Sequence, residues 1–115
     1  MQRFDAQRIG IAQGSELLFS DFQTGGEMWT GSGPRERRRR VRFDQPFTAP
    51  PAVMVALDMW DIANDANQRI DIHAEEITPE GFEIVLRTWG DTRIARARAA
   101  WTAIGPVSDE DLWDV

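Results

Sequence analysis

The sequence predicts an all-β protein, folded as a six-stranded antiparallel β-sandwich. Helical periodicity is weak along the whole chain, whereas apolar and polar residues often alternate with period two. Six such segments recur at a spacing of roughly 10–15 residues, and turn-rich loops separate them, a pattern typical of sandwiches. With 115 residues the chain is long enough for one modest core. We therefore expect a single domain over residues 1–115, with flanking segments at 1–7 and 106–115.

The first half of the chain is expected to contain three strands. A short strand from Ile9 to Ser15 ends near Gly14, and a long loop follows over residues 20–34, which hold four Gly and one Pro. A second strand covers Glu36–Asp44. After the turn "QPFTAPPAV" a third strand covers Val53–Trp60. Its inward face is predicted to consist of Val53, Val55, Leu57 and Met59.

The second half is expected to contain the other three strands. One lies near Arg69–Glu75, and the turn "ITPEGF" separates it from the next. The last two strands are predicted at Phe82–Trp89 and Arg93–Ile104, joined by a tight turn at Gly90–Asp91. The acidic tail "GPVSDEDLWDV" is expected to dock through Leu112 and Trp113.

Composition excludes several classes of protein. The net charge of −6 argues against general nucleic-acid binding, and the absence of Cys excludes disulfides and thiolate metal sites. No apolar run is long enough to span a bilayer, so we expect no membrane insertion. The start "MQRFDAQRIG" lacks the apolar core of a secretory signal. The cellular location is left open.

No constellation of residues indicates an enzyme. The single His, His73, lies beside Asp71 and Glu75 on the polar face of a strand, and we interpret it as a surface residue. No Ser or Thr has a nucleophile-elbow context, and the glycine-rich stretches lack the Lys of a phosphate cradle. We therefore expect no catalytic residues, no metal and no cofactor.

The basic run "RERRRRVRF" is divided by strand geometry. Arg38, Arg40 and Arg42 should point one way, while Arg37 and Arg39 share a face with Val41 and Phe43. The favoured interpretation is pairing with carboxylates, within the chain or across a subunit interface. An anionic partner is the alternative. On the last strand, small residues should allow close packing on one face while Arg96 and Arg98 meet water or another chain; these small residues are Ala95, Ala97 and Ala99.

Two of the five Trp residues carry most of the functional reasoning. Trp101 lies mid-strand on the face of Ala97 and Ala99 and is expected in the core. Trp89 ends a strand beside a turn, where a large ring is hard to bury. An indole with Arg nearby suits a sugar, whose apolar face packs on the ring and whose hydroxyls accept from guanidinium. A Trp that caps the end of the sandwich is an equally open interpretation.

Several ordered motifs together resemble the H-type lectin family, found in snail agglutinins and in the C-terminal domain of discoidins. They are a strand closing in Phe43, Phe47 before "PP", the Arg69 strand, "ITPEGF", "TW.DT" at 88–92 and "W.AIG" at 101–105. The resemblance covers residues 36–105 well and residues 8–35 loosely. It implies a β-sandwich that assembles as a homotrimer, in a bacterial or phage-associated member of the family.

The resemblance also implies a glycan ligand. The family binds galactose or N-acetylgalactosamine in shallow sites between protomers, and its sugar-contacting Arg and Trp fall on Arg69 and Trp89. The implied sugar-binding set is completed by Ser32, Gly90 and Asp91. Snail members have an acid at the position of Ser32 and an aromatic at the position of Ala95. The alternative function is therefore a structural or oligomerisation module of a particle or assembly that has lost sugar binding.

Overall fold

The structure is a computed structural model that describes residues 1–108. Its elements are β1 (Ile9–Ser20), α1 (Glu27–Thr30), β2 (Arg35–Arg42), β3 (Ala52–Ile62), β4 (Asp71–Thr78), β5 (Gly81–Thr88) and β6 (Ile94–Pro106). They form two antiparallel sheets of three strands, in the orders β1-β6-β3 and β2-β5-β4. The predicted all-β, six-stranded sandwich is confirmed. The predicted docking of Leu112 and Trp113 lies outside the described residues.

Strand β1 is longer than predicted, because Gly14 does not end it. Gly14 pairs with Trp101 across the β1–β6 ladder. A Cβ at Gly14 would meet the Trp101 ring at 2.7 Å, so the glycine leaves space for the indole. The strand continues to Ser20 through an irregularity between Leu17 and Phe19. The glycine is thus required by a cross-strand neighbour rather than by a turn.

The predicted long loop over residues 20–34 contains the short helix α1, and Asp21 anchors it to the rest of the fold. The buried Asp21 carboxylate accepts from the Met28 backbone N–H at 3.0 Å, at the start of α1. It also accepts from both terminal nitrogens of Arg37, at 3.1 and 2.8 Å. One buried acid therefore ties the segment to β2, and charge-assisted bonds of this kind are the stronger ones.

Three more arginines of the basic run, Arg38, Arg39 and Arg40, also pair with carboxylates within the chain, as predicted. Arg38 lies within 3.4 Å of three carboxylates, and Arg39 pairs with Glu16 of β1 at 3.4 Å. On β6, Arg96 and Arg98 each bond an aspartate of β3 at 3.1 Å. Much of the basic charge is thereby neutralised locally, which weakens the alternative of an anionic polymer as partner.

Two clusters of buried apolar residues fill the space between the sheets. The first contains Trp101, which packs against Phe43 and Phe82 with ring centroids 5.8 and 5.4 Å away. The second contains Met28, Leu86 and Ala97 among others, and lies beneath α1. The predicted core position of Trp101 is confirmed. The small residues of β6 are buried as predicted, which lets the sheets approach closely.

Within the described residues no helix is long and apolar enough to cross a membrane.

Candidate functional site

The connection over residues 89–93 crosses from one sheet to the other. Strand β5 belongs to the sheet with β2 and β4, whereas β6 belongs to the sheet with β1 and β3. The predicted tight turn at Gly90–Asp91 is present between β5 and β6, but the two strands do not pair with each other. Gly90 takes a positive φ of 68°, which a glycine adopts without the strain of a Cβ. Alternation predicts which face a residue occupies but not which sheet its strand joins, so the change of sheet is visible only in the structure.

Two buried threonine hydroxyls hold the backbone of Arg69 beside this connection. The Arg69 N–H donates to Thr92 Oγ1 at 3.0 Å, and Thr88 Oγ1 donates to the Arg69 carbonyl at 2.6 Å. Thr92 Oγ1 also donates to the Asn67 carbonyl at 2.6 Å. Both threonines are buried. Because its N–H and C=O groups bond to threonine hydroxyls, Arg69 lies before β4 and not within it. This corrects the predicted start of that strand.

The guanidinium of Arg69 crosses the connection and pairs with Asp91. Its Nη1 donates to Asp91 Oδ1 at 2.9 Å, and a Cβ at Gly90 would lie only 3.1 Å from the same nitrogen. Asn67 donates to Asp91 through its side chain at 3.2 Å and through its backbone at 3.4 Å. The hydrogen bonds from Asn67, followed by the charge of Arg69, hold the pKa of the Asp91 carboxyl below its usual range. The structure thus brings together Arg69, Gly90 and Asp91, three of the residues in the predicted sugar-binding set.

Arg35 also holds the connection over residues 89–93 in place, and sequence reasoning did not identify it. Its side chain is buried and donates only to backbone carbonyls. The acceptors are those of Glu27, Met28, Gly33, Gly90 and Thr92, at 2.7 to 3.4 Å. Nothing in the sequence separates Arg35 from the run of arginines that follows it. Only the fold shows that this one faces inward.

Ser32 lies next to the connection but contributes no charge there. The adjacent Gly33 N–H donates to the Gly90 carbonyl at 2.9 Å, which places the loop before β2 against the turn. Ser32 itself is exposed. Ala95 is only 3% exposed, so its side chain faces the core and not a solvent-borne ligand.

Trp89 forms one wall of an open groove on the β2–β5 side of the connection. The indole is 44% exposed, and the groove has a volume of about 390 Å³. Its lining consists of Pro34, Arg35, Glu36, Arg87, Thr88 and Trp89. Arg69 and Asp91 do not line this groove. Sequence reasoning missed Glu36 as a neighbour of Trp89, because the β2–β5 pairing is what brings it beside Arg87 and the indole.

His73 belongs to an ion network on the outer face of β4 and not to a metal site. Its Nε2 contacts the Glu75 carboxylate, which also accepts from Arg87 Nη2 at 3.2 Å. The hydrogen bond from His73, with the nearby charges of Arg38 and Arg87, holds the pKa of Glu75 below its usual range. Among residues 1–108 no group of three or more His, Cys, Asp or Glu is placed to hold a metal ion.

The chain resembles a known family of domains and several known proteins. A model of the H-type lectin domain matches residues 38–104. Over 107 residues the chain is 60% identical to a protein of Fuscovulum blasticum named ATP synthase subunits region ORF 7, covering 93% of each. Over 75 residues it is 36% identical to a discoidin-1 chain of Dictyostelium discoideum, covering 64% of this chain and 30% of the discoidin.

The structure of discoidin II from the same organism superposes with a TM-score of 0.74 at 20% identity. That match covers 90% of this chain and 39% of the discoidin, so the chain spans well under half the length of the discoidins. The likeness in fold agrees with the family match, which covers more than half of the sequence. The chain therefore belongs to the H-type lectin domain family, a family of carbohydrate-binding domains.

Proposed function

We propose that this chain is a non-enzymatic carbohydrate-binding domain that recognises a galactose- or N-acetylgalactosamine-type glycan at the connection over residues 88–92. The observation that carries the proposal is the pairing of a half-exposed Arg69 guanidinium with Asp91, in the same short connection as the exposed indole of Trp89. A pyranose binds through an apolar platform and charged hydrogen-bonding groups, and Trp89 and Asp91, the partner of Arg69, are two residues apart in this connection.

The arrangement is held in place before a ligand arrives. Buried threonine hydroxyls fix the backbone of Arg69, and Arg35 fixes the carbonyls of Gly90 and Thr92. Of the five N–H groups of the Arg69 guanidinium, one donates to Asp91, and within residues 1–108 the other four can donate to sugar hydroxyls. Groups that are already ordered lose little entropy on binding, and this favours affinity in a shallow site.

We further propose that the site is completed in a homotrimer. Exposed apolar side chains on β1 and β3, among them Ile11, Leu17 and Met54, offer a surface that a neighbouring protomer could cover. A shallow sugar site binds weakly on its own. Three linked sites would raise the retention on a multivalent glycan surface through effective concentration, with no new contact.

The test compares Arg69→Ala and Trp89→Ala with the parent on a glycan array. We expect both variants to lose retention, while light scattering shows an unchanged oligomer. Arg40→Ala is the matched control, because Arg40 is another half-exposed arginine, 4.0 Å from a glutamate, at the opposite end of β2. If both site variants bind as the parent does, the assignment of the site is refuted.

The second candidate is a structural or oligomerisation module without sugar binding. Ser32 supplies no carboxylate beside the connection, and the buried Ala95 supplies no aromatic surface. These two positions favour the second candidate. An array that is blank for terminal galactose, N-acetylgalactosamine and acidic sugars, together with a stable trimer, would support it over the lectin.

A further inference from the structure

The groove beside Trp89 holds two charged groups that the site at Arg69 and Asp91 does not use. Glu36 of β2 and Arg87 of β5 are directly paired in the ladder, and both line the groove. Arg87 Nε donates to Glu36 Oε1 at 2.9 Å. Since neighbouring cross-strand partners point to the same side, a carboxylate and a guanidinium stand together next to the exposed indole.

Both groups retain hydrogen-bonding capacity. Glu36 accepts one bond from Arg87 and two from Arg38, at 3.1 and 3.4 Å, whereas a carboxylate offers about four lone-pair sites. The Arg87 guanidinium contacts Glu36, Glu75 and His73, and these contacts use three of its five N–H groups. One acceptor site and two donors therefore remain for a ligand.

The charge around the groove favours a neutral ligand. Glu36, Glu75 and Glu83 share Arg38 and Arg87, and Arg35 also lines the groove, so three carboxylates balance three guanidiniums. The hydrogen bond from Arg38, and then that from Arg87, hold the pKa of Glu36 below its usual range, so it is ionised at neutral pH. With these charges balanced, an anionic sugar would gain no net attraction and would lie against the Glu36 carboxylate, whereas a hydroxyl can donate to that carboxylate.

We propose that Glu36 and Arg87 hold two adjacent hydroxyls of a neutral pyranose whose apolar face packs on Trp89. The groove volume of about 390 Å³ lies near the lower end for small-molecule sites, which suits one monosaccharide unit. One sugar hydroxyl donates to the Glu36 carboxylate and the adjacent hydroxyl accepts from the Arg87 guanidinium. Glu36 and Arg87 together therefore select a sugar with two adjacent hydroxyls. This inference rests on the proposed lectin function and names the residues that would select its sugar.

The experiment applies Glu36→Gln and Glu83→Gln to arrays of galactose, N-acetylgalactosamine, other neutral pyranoses and sialic acid. Glutamine keeps the shape of Glu36 but loses the charge-assisted bond, so we expect about 10- to 100-fold weaker binding of neutral sugars. The ratio of neutral to acidic sugar binding should fall as well. Glu83 is the matched control, because it also pairs with Arg38, at 2.9 Å, but does not line the groove.

Comparing Trp89→Ala with Glu36→Gln distinguishes the proposed lectin function from the inference about Glu36 and Arg87. Loss of binding in Trp89→Ala and Glu36→Gln, with Glu83→Gln unchanged, supports the inference. Loss in Trp89→Ala with normal binding in Glu36→Gln overturns the inference and leaves the lectin function in place. Equal loss in both glutamate variants overturns it too, since a structural effect of the ion network would explain that result. Normal binding in all variants refutes both proposals.

Discussion

Thr92→Val tests whether the connection over residues 89–93 is rigid because of its buried hydroxyls. The substitution keeps the side-chain shape but removes the oxygen that accepts from the Arg69 N–H and donates to the Asn67 carbonyl. Thr92 is fully buried, so water does not readily replace either partner. Thr88→Val is the matched comparison, because its hydroxyl makes one such bond, to the Arg69 carbonyl.

The magnitude follows from counting the partners left unsatisfied. Each polar group that loses its partner costs about 1–3 kcal/mol of unfolding free energy. The added methyl group recovers about 0.8 kcal/mol through apolar burial. The two lost bonds of Thr92 therefore predict a net destabilisation of about 1–5 kcal/mol, and the single bond of Thr88 predicts about 0.2–2 kcal/mol.

Urea unfolding followed by tryptophan fluorescence measures both values. Linear extrapolation applies if the m-value is unchanged between the parent and the variants. We expect Thr92→Val to be the more destabilised variant and to lose affinity for the glycan in parallel, since Arg69 would no longer be anchored. A change under about 0.5 kcal/mol for Thr92→Val, or a larger loss in Thr88→Val, would refute the reasoning.

Two further predictions concern backbone strain and acid stability. Gly90→Ala and Gly25→Ala both place a Cβ at positive φ, and each should lower the free energy of unfolding by about 1–2 kcal/mol. The Cβ at position 90 also meets Arg69 Nη1 at 3.1 Å, whereas the Cβ at position 25 has no neighbour within 4 Å. Only Gly90→Ala should therefore weaken glycan binding on an array. Equal binding by the two variants would show that the turn does not position Arg69. Glu36 and Glu75 have lowered pKa values in the fold, so the stability that they contribute is present above their ordinary pKa of 4.5 and is lost as the pH falls through the lower folded values. An acid titration followed by circular dichroism should therefore show less loss between pH 5 and pH 3 in Glu75→Gln than in the parent, and an identical curve would contradict this.

Much of the fold was predictable because it depends on local alternation. For β2, β3, β5 and β6 the predicted strand ends lie within two residues of the observed ones. The burial of β1, β3 and β6 largely follows the period of two, and Trp101 reaches the core as that period requires. The prediction failed at Gly14, where a glycine was interpreted as a strand end. A residue without a side chain carries no sign of the ring that packs over it.

The site was predictable only in part. Arg69 and Trp89 could be chosen from chemistry and from the family resemblance, and the structure brings Arg69, Gly90 and Asp91 together. Their role in sugar binding stays a prediction. The inward turn of Arg35 was not predictable, because its partners are carbonyls contributed by three separate stretches of the chain.

By itself the sequence determined the class of fold, the faces of the strands and the exclusion of thiol chemistry, since each depends on composition or on residues close together in the chain. Only the tertiary structure decided that the connection after β5 changes sheets, that Arg35 of the basic region is buried, and that Glu36 stands beside Arg87 and Trp89. These features depend on which strands pair and in what register. Pairing between distant segments is set by how the whole core packs, and a local pattern does not record it.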